Sequence, residues 1–315
     1  MISNTLKKRF CKDYDISIGV YDEPYFSDRI QLFKVEDKWE LLKYTLENYF
    51  NNDEKAFLEY YTAIKEKLMS YIKCSATFVA FNADDMNKYA TKNSFRQSNI
   101  YNEANVGDRF ISIDIRQANF TSLSHYGYIN NIPLYLNGDK YNYRDFMSIV
   151  NDIEYFTDSK YIRQVIFGNC NPKRQITYEK YLIDCIYNQL KSYGLVHDTD
   201  VYSLCSDEIV LKADNITDDT FKRIRNVVIN NDFPLTIQLF ELWRIRGTGG
   251  YIKNILAGKN EGKQEIKCLN LIEAPSAYRY LNGEDFNEND LYFMYENRLA
   301  RFIEPMHISI DKGEK

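Results

Sequence analysis

The stretch RFISIDIRQANF, residues 109–120, alternates Phe110, Ser112 and Asp114 with Ile111, Ile113 and Ile115. That is the two-residue period of a β-strand. One side of the strand is apolar throughout. The other ends on a carboxylate, and an acid inside an apolar strand is costly to bury unless it is paired or binds a cation. A second acidic pair, Asp207-Glu208, stands in YSLCSDEIVL (202–211). There VYSLCS (201–206) and EIVLKA (208–213) read as the strands of a hairpin with the acids near its tip. Taken singly, each acid reads as a polar strand end facing water. Taken together, on strands able to lie side by side, Asp114 and Asp207 bracket a pair of divalent cations. Such a pair stabilises the attacking and leaving oxygens of an in-line phosphoryl displacement. Hard oxygen ligands select Mg²⁺ or Mn²⁺, two ions.

Between the acids lies SKYIRQVIFGNCNPKRQ (159–175). A helix over 159–168 puts Lys160, Arg163 and Phe167 on one face. Two cations there meet an incoming triphosphate and the ring stacks on a base; the plain alternative is a solvated basic face. Further helices are expected at 117–125, 143–155, 176–193 and 217–230, with a strand at 234–245. GTGG at 247–250 reads as a turn, too short and too late to cradle phosphate.

Upstream, residues 38–50 and 54–72 carry apolar residues at helical spacing around a break at Asn51–Asp53, a helical hairpin. Residues 14–35 read as short extended pieces, with IGVY (18–21) and RIQLF (29–33) as strands, and 76–107 as polar and irregular. The tail DKGEK (311–315) is expected to fray. The fold class is α/β (α+β), an antiparallel sheet with flanking helices.

Composition narrows the function. Hydrophobic residues make up 44% of 315, which excludes a disordered chain and allows one large or two modest domains. The net charge of -5, with no basic run, excludes a passive nucleic-acid coat, while a local basic groove stays compatible with an acidic total. Asn, Ile and Tyr are frequent and Pro is scarce, the bias of an AT-rich genome, viral or phage genomes among them. The cysteines form no CxxC pair and no His stands at zinc spacing, so neither a zinc site nor a disulfide framework is expected. Scattered cysteines, no signal peptide and no long apolar run lead to the expectation of a cytoplasmic protein without a membrane span. His125 and His197 read as packing or surface residues.

The order of these motifs resembles family A DNA polymerases, the class of bacterial polymerase I and T7-like phage polymerases, over roughly residues 95–245. Asp114-Ile-Arg116-Gln117-Ala-Asn119 is similar to the family's first motif, Asp-aromatic-Ser-Gln-x-Glu. Arg163 before Phe167-Gly168 is similar to the fingers-helix motif, and Ser206-Asp207-Glu208-Ile-Val-Leu-Lys-Ala213 to the third. A helix and Pro234-Leu235-Thr236-Ile237 follow in the family's order. The chain departs from the family at Asn119, where the family has a Glu near the incoming sugar, at Ser206 for His, and at Asn171-Pro172 for Tyr-Gly. The short interval between Asp114 and Asp207 is nearer to the compact palms of reverse transcriptases.

The resemblance implies a palm-like sheet over 95–246 with a small fingers-like insertion at about 140–195, a thumb-like unit at 1–94 and a C-terminal extension at 247–315. It implies a template-directed nucleotidyltransferase. Asp114 and Asp207 would hold the metals, and Glu208 would support them or the primer end. Lys160 and Arg163 would hold the triphosphate, and Phe167 would stack at the nascent pair. Gln117 and Arg116 would touch minor groove or phosphates, with Asn119 beside the sugar. The partners implied are a nucleic-acid template and primer, nucleoside triphosphates and an accessory replication protein. The alternatives are a palm-derived protein that binds nucleic acid or a protein without catalysis, and another metal-dependent phosphotransfer enzyme such as a nuclease.

Overall fold

The computed structural model describes residues 2–136, 138–214 and 216–313. Strand β1 (Arg109–Ile115) lies between β3 (Glu208–Lys212) and β4 (Leu235–Arg246) and is antiparallel to both. With β2 (Val201–Leu204), β5 (Tyr251–Gly258) and β6 (Gln264–Lys267) the order is β2-β3-β1-β4-β5-β6, and β9 (Ser309–Asp311) pairs the end of β4. A separate hairpin joins β7 (Tyr292–Tyr295) to β8 (Arg298–Arg301). Helix α6 (Ala118–Ile129) leaves β1, α10 (Pro172–Ser192) leads into β2, and α11 (Asp218–Ile229) joins β3 to β4. The centre of the sheet is therefore a strand-helix-strand-strand-helix-strand unit with its two halves interleaved.

The remaining helices are α1 (Asn4–Tyr14), α2 (Tyr25–Leu32), α3 (Glu36–Phe50), α4 (Glu54–Cys74), α5 (Ala76–Ala83), α7 (Tyr143–Met147), α8 (Glu154–Asp158), α9 (Lys160–Gly168) and α12 (Ala274–Leu281). Their starts are chemically marked. Asp53 accepts from the Lys55 and Ala56 amides, Ser159 accepts from the Ile162 amide at 3.1 Å, and Pro172 opens α10, where its missing N–H costs nothing. No helix among the described residues is long and apolar enough to cross a membrane.

The pleat of β1 divides two environments. Ile111, Ile113 and Ile115 face the helices and share one buried cluster with Phe57, Phe120 and Tyr178. Phe110 faces the other way, stacked on Phe240 at 5.8 Å and covered by Ile100 and Val106 from the segment before β1. Beyond Phe110 the same face becomes polar, with Ser112 and then Asp114. A mixed α/β fold with an antiparallel sheet flanked by helices is what the sequence pattern predicts.

Several local expectations are corrected. RIQL is helical, the end of α2, with Phe33 as its cap, and IGVY forms no strand; the buried Phe26, Arg29 and Ile30 fit a helical period, which short apolar runs do not distinguish from a strand. The helix expected over 143–155 is two short helices, α7 and α8, and the region 76–107 begins with α5. The hairpin α3–α4 does not stand clear as a thumb: Phe57, Tyr61, Ile64 and Leu68 belong to the cluster that holds the β1 isoleucines, so 1–94 shares its core with 95–246. Buried Asp13 tightens this joint, accepting from Tyr155 and Ser159 at 2.7 Å each and also from Tyr61. In the tail, Asp311 is part of β9 and accepts from Arg246 at 2.7 Å; residues 314–315 lie outside the described residues.

His125 is buried on α6, its Nδ1 2.8 Å from the Tyr178 hydroxyl. Burial pushes its pKa down to about 4. The unfolded chain then binds a proton below about 6.5 that the folded chain refuses until about 4, so stability falls as pH drops through that window. The expected loss between pH 7 and pH 5 is about 2 kcal/mol from this residue. Urea unfolding at the two pH values measures it, and His125→Asn should flatten the slope.

Candidate functional site

The register places the acids. Asp114 is the Cα partner of Glu208 on one side and of Thr236 on the other. One residue further, the Ile115 amide donates to the Asp207 carbonyl at 2.9 Å, which locks the tip of the β2–β3 hairpin to the end of β1. Paired residues in an antiparallel ladder point to the same side, so Asp114 and Glu208 share the polar end of the open face. Glu208 is held back by the Ser112 hydroxyl, which donates to its Oε1 at 2.5 Å. Asp207 accepts from its neighbour Ser206 at 3.2 Å.

The carboxylates feel one another. Burial, then the charges of Asp207 and Glu208, push the Asp114 carboxyl up to about 7. Lys253 and Lys259 offset this in part. No hydrogen-bond donor among the described residues reaches the Asp114 side chain. The cavity around it, about 310 Å³, is lined by the carboxylates of Asp114, Glu208 and Glu265 and by Lys253, Lys259 and Lys267. Lys253 is buried over the Phe240 ring, 4.5 Å from its centre, and burial lowers its pKa.

No family model, no curated protein and no solved structure matches the chain. The site therefore has to be read from its own chemistry. Among the described residues no group of three or more His, Cys, Asp or Glu side chains stands ready to hold a metal ion. Mg²⁺ is commonly held by one or two carboxylates together with substrate phosphates, because it gives up its waters reluctantly. Asp114, short of donors and crowded by like charge, fits a hard cation of that kind, with Asp207 as its neighbour.

The other sequence-derived residues divide. Arg163, Arg116 and Gln117 come together, lining an open cavity of about 620 Å³ just past the end of β1. Lys160 does not join them; it pairs with Asp15 at the end of α1, at 2.6 Å. Phe167 is fully buried against Phe120, Tyr143 and Phe146, so it cannot stack on a nascent base pair. The helical face carrying Phe167 is real, but Ile162 and Ile166 turn it inward. Asn119 sits half-buried in the first turn of α6 and lines neither cavity.

Two residues with a bearing on the site escape sequence reasoning. Lys253 lies in β5, outside the matched motifs. Glu179 in α10 is 3% exposed, its Oε1 has no hydrogen-bond partner, and burial followed by the Asp207 charge pushes its pKa up to about 8. The signal for Glu179 is its place on the apolar stripe of Tyr178, Leu182 and Ile186.

A carboxyl whose folded pKa is raised destabilises the fold progressively as pH rises from its unfolded value near 4 to its folded value near 7. Asp114→Asn should therefore be no more stable than the parent near pH 4 and more stable at pH 8, by about 2 kcal/mol after allowance for solvent screening. Chemical denaturation at the two pH values reads the difference. Millimolar Mn²⁺ should raise the melting temperature of the parent chain and leave that of Asp114→Asn unmoved.

Proposed function

We propose that the chain is a template-directed nucleotidyltransferase of the palm type, acting in the cytoplasm and adding nucleotides to the 3′-hydroxyl of a nucleic-acid primer. The observation that supports this reading is the register: Asp114 at the end of the central strand shares the open face of an interleaved strand-helix sheet with its partner Glu208, and the backbone of Asp207 is locked beside it at a hairpin tip. Beyond the cover of Ile100 and Val106, the polar end of that face is open, and a nucleic-acid strand would need such an opening.

Asp114 and Asp207 are the residues that would hold two Mg²⁺ or Mn²⁺ ions, which when bound polarise the attacking hydroxyl and the leaving pyrophosphate. The chain's own groups position the reactants. Lys259 lines the acidic cavity and would offer a phosphate contact to a strand lying on the face, beside the buried Lys253 and Lys267, which pairs with Glu265 at 3.1 Å. Arg163 and Arg116 stand beyond the end of β1, where the triphosphate of the incoming nucleotide meets them. Glu208, tethered to Ser112, would stand beside the primer end. The nucleophile belongs to the primer, so no protein nucleophile is required. An accessory replication protein is the partner expected to complete the grip on the duplex, because α3–α4 is packed into the core.

A second reading has its own support. With no three-group metal cage among the described residues, and with Phe167 and Lys160 engaged elsewhere, the observations favour on these points a palm-derived protein that binds nucleic acid or a protein without catalysis.

A labelled primer on a template, with Mn²⁺ and separate ribo- and deoxynucleotide pools, separates the readings. Transfer lengthens the primer, a nuclease shortens it, and a pure binder only retards it. Asp207→Ala should cut extension at least about 1000-fold while leaving the far-UV spectrum unchanged. Full activity in that variant removes the transferase reading.

A further inference from the structure

We propose that Lys253 is a tethered counter-cation of the carboxylate site: its ammonium supplies charge that a divalent ion would otherwise supply, and so sets how weakly the empty site holds metal. This rests on the reading of Asp114 as a cation ligand and deepens it by naming the residue that competes with the ion.

Lys253 reaches the site from β5, where it alternates with Tyr251 and Ile255. Those two pack with Phe240 and Leu242 in the small apolar cluster of the open face, and the two-residue strand period puts Lys253 on the same side. Its ladder partner on β6 is Glu265, another wall of the cavity. The residue is 6% exposed, and its ammonium lies over the Phe240 ring. Burying an ammonium is costly unless acceptors meet it. Among the described residues none does: the Lys253 ammonium makes neither a hydrogen bond nor a close ion pair. Nor is it sealed in. Unlike the Glu179 Oε1, which the core encloses, it reaches the wall of the cavity.

What acts on this ammonium is burial and charge. Burial disfavours it most, Glu208 favours it, Lys267 opposes it, and Glu265 and Asp114 favour it. Two of these carboxylates are already supplied. Glu265 accepts from Asn260 and Gln238 at 3.0 and 2.8 Å and pairs with Lys267, and Glu208 accepts from the Ser112 hydroxyl. Asp114 has no donor among the described residues. A carboxyl without a donor and an ammonium without an acceptor therefore face one space of about 310 Å³, held apart by the sheet that carries them.

A divalent ion placed at Asp114 brings two positive charges towards that ammonium. In a half-buried cavity the repulsion is poorly screened, so Lys253 lowers the affinity of the site for a bare ion. A phosphate that arrives with the ion supplies the acceptor that the ammonium lacks, and repulsion gives way to attraction. The cavity then favours an ion that comes with phosphate over one that comes alone, the manner in which Mg²⁺ is commonly held. Lys259 lines the same cavity but is exposed, and solvent screens its charge.

Mn²⁺ binding by the full chain, followed through the loss of the free-ion spin-resonance signal, tests this without turnover. Lys253→Met keeps a linear apolar stem over Phe240 and removes the charge, and it should bind Mn²⁺ about 10-fold more tightly than the parent. Lys259→Met removes the same charge from the same cavity and should change the affinity by less than about 2-fold. Adding Asp114→Asn to Lys253→Met should abolish the gain. Melting curves verify that each variant is folded, and Lys253→Gln replaces Lys253→Met where the latter is not. The proposal is overturned if the folded Lys253 variant binds Mn²⁺ no more tightly than the parent, if Lys259→Met gains as much, or if the gain survives Asp114→Asn. Tighter Mn²⁺ binding by Lys253→Met in a chain that never extends a primer supports the counter-cation and sinks the transferase reading. Primer extension by the parent with unchanged Mn²⁺ affinity in the variant does the reverse, so the two fail separately.

Discussion

The hydrogen bond from the Ile115 amide to the Asp207 carbonyl, at 2.9 Å, sets the geometry on which the rest of the site depends. It is the last rung of the β1–β3 ladder, and it holds the hairpin tip at the end of the central strand. A ladder has a two-residue side-chain period, so slipping β3 by one residue would turn Glu208 into the helical core and carry an isoleucine to the open face. The apolar half of the pattern prevents that slip. Ile111, Ile113, Ile209 and Leu211 must all stay on the helix side, and their common burial fixes the register that brings the acids together. Hydrophobic burial on one face thereby bears the electrostatic strain on the other.

That strain is local, and basic side chains stand close to it in an otherwise acidic chain. Asp114 is crowded by Asp207 and Glu208, yet Lys253, Lys259 and Lys267 line the same cavity and Arg163 and Arg116 stand just past the strand end. Opposite charges stand side by side in that cavity, with Lys267 pairing Glu265 at 3.1 Å. At physiological salt an exposed charge is screened beyond about 8 Å, so this local arrangement matters more to the site than the formal total of -5 does.

Legibility in the sequence followed the strength of the local pattern. β1 was readable because its isoleucines alternate with Phe110, Ser112 and Asp114, and the hairpin was readable because two β-rich runs flank Ser206-Asp207. Helices α3, α4, α9, α10 and α11 announced themselves by period and cap. What was hidden depends on tertiary contact. RIQLF fits a strand and a helix equally, and only its packing against the rest of the N-terminal layer decides. Lys160 and Arg163 look alike on a helical wheel, but Asp15 reaches one and Tyr143 the other. Phe167 has the spacing of a presented ring and the surroundings of a core residue.

Packing of the N-terminal helices onto the sheet then has a chemical consequence. Asp13 ties α1 to α4, α8 and α9 through Tyr61, Tyr155 and Ser159, so the helix that carries Arg163 is held by the same buried carboxyl that anchors the helix carrying Tyr14. Burial pushes the pKa of Asp13 up while three hydroxyl donors pull it down, which makes those donors essential to the joint. Arg163 is thus positioned from two directions, by the strand-helix unit that precedes it in space and by an N-terminal layer far away in sequence. A rigid mounting of this kind keeps the Arg163 guanidinium over the Tyr143 ring, with no carboxylate partner among the described residues.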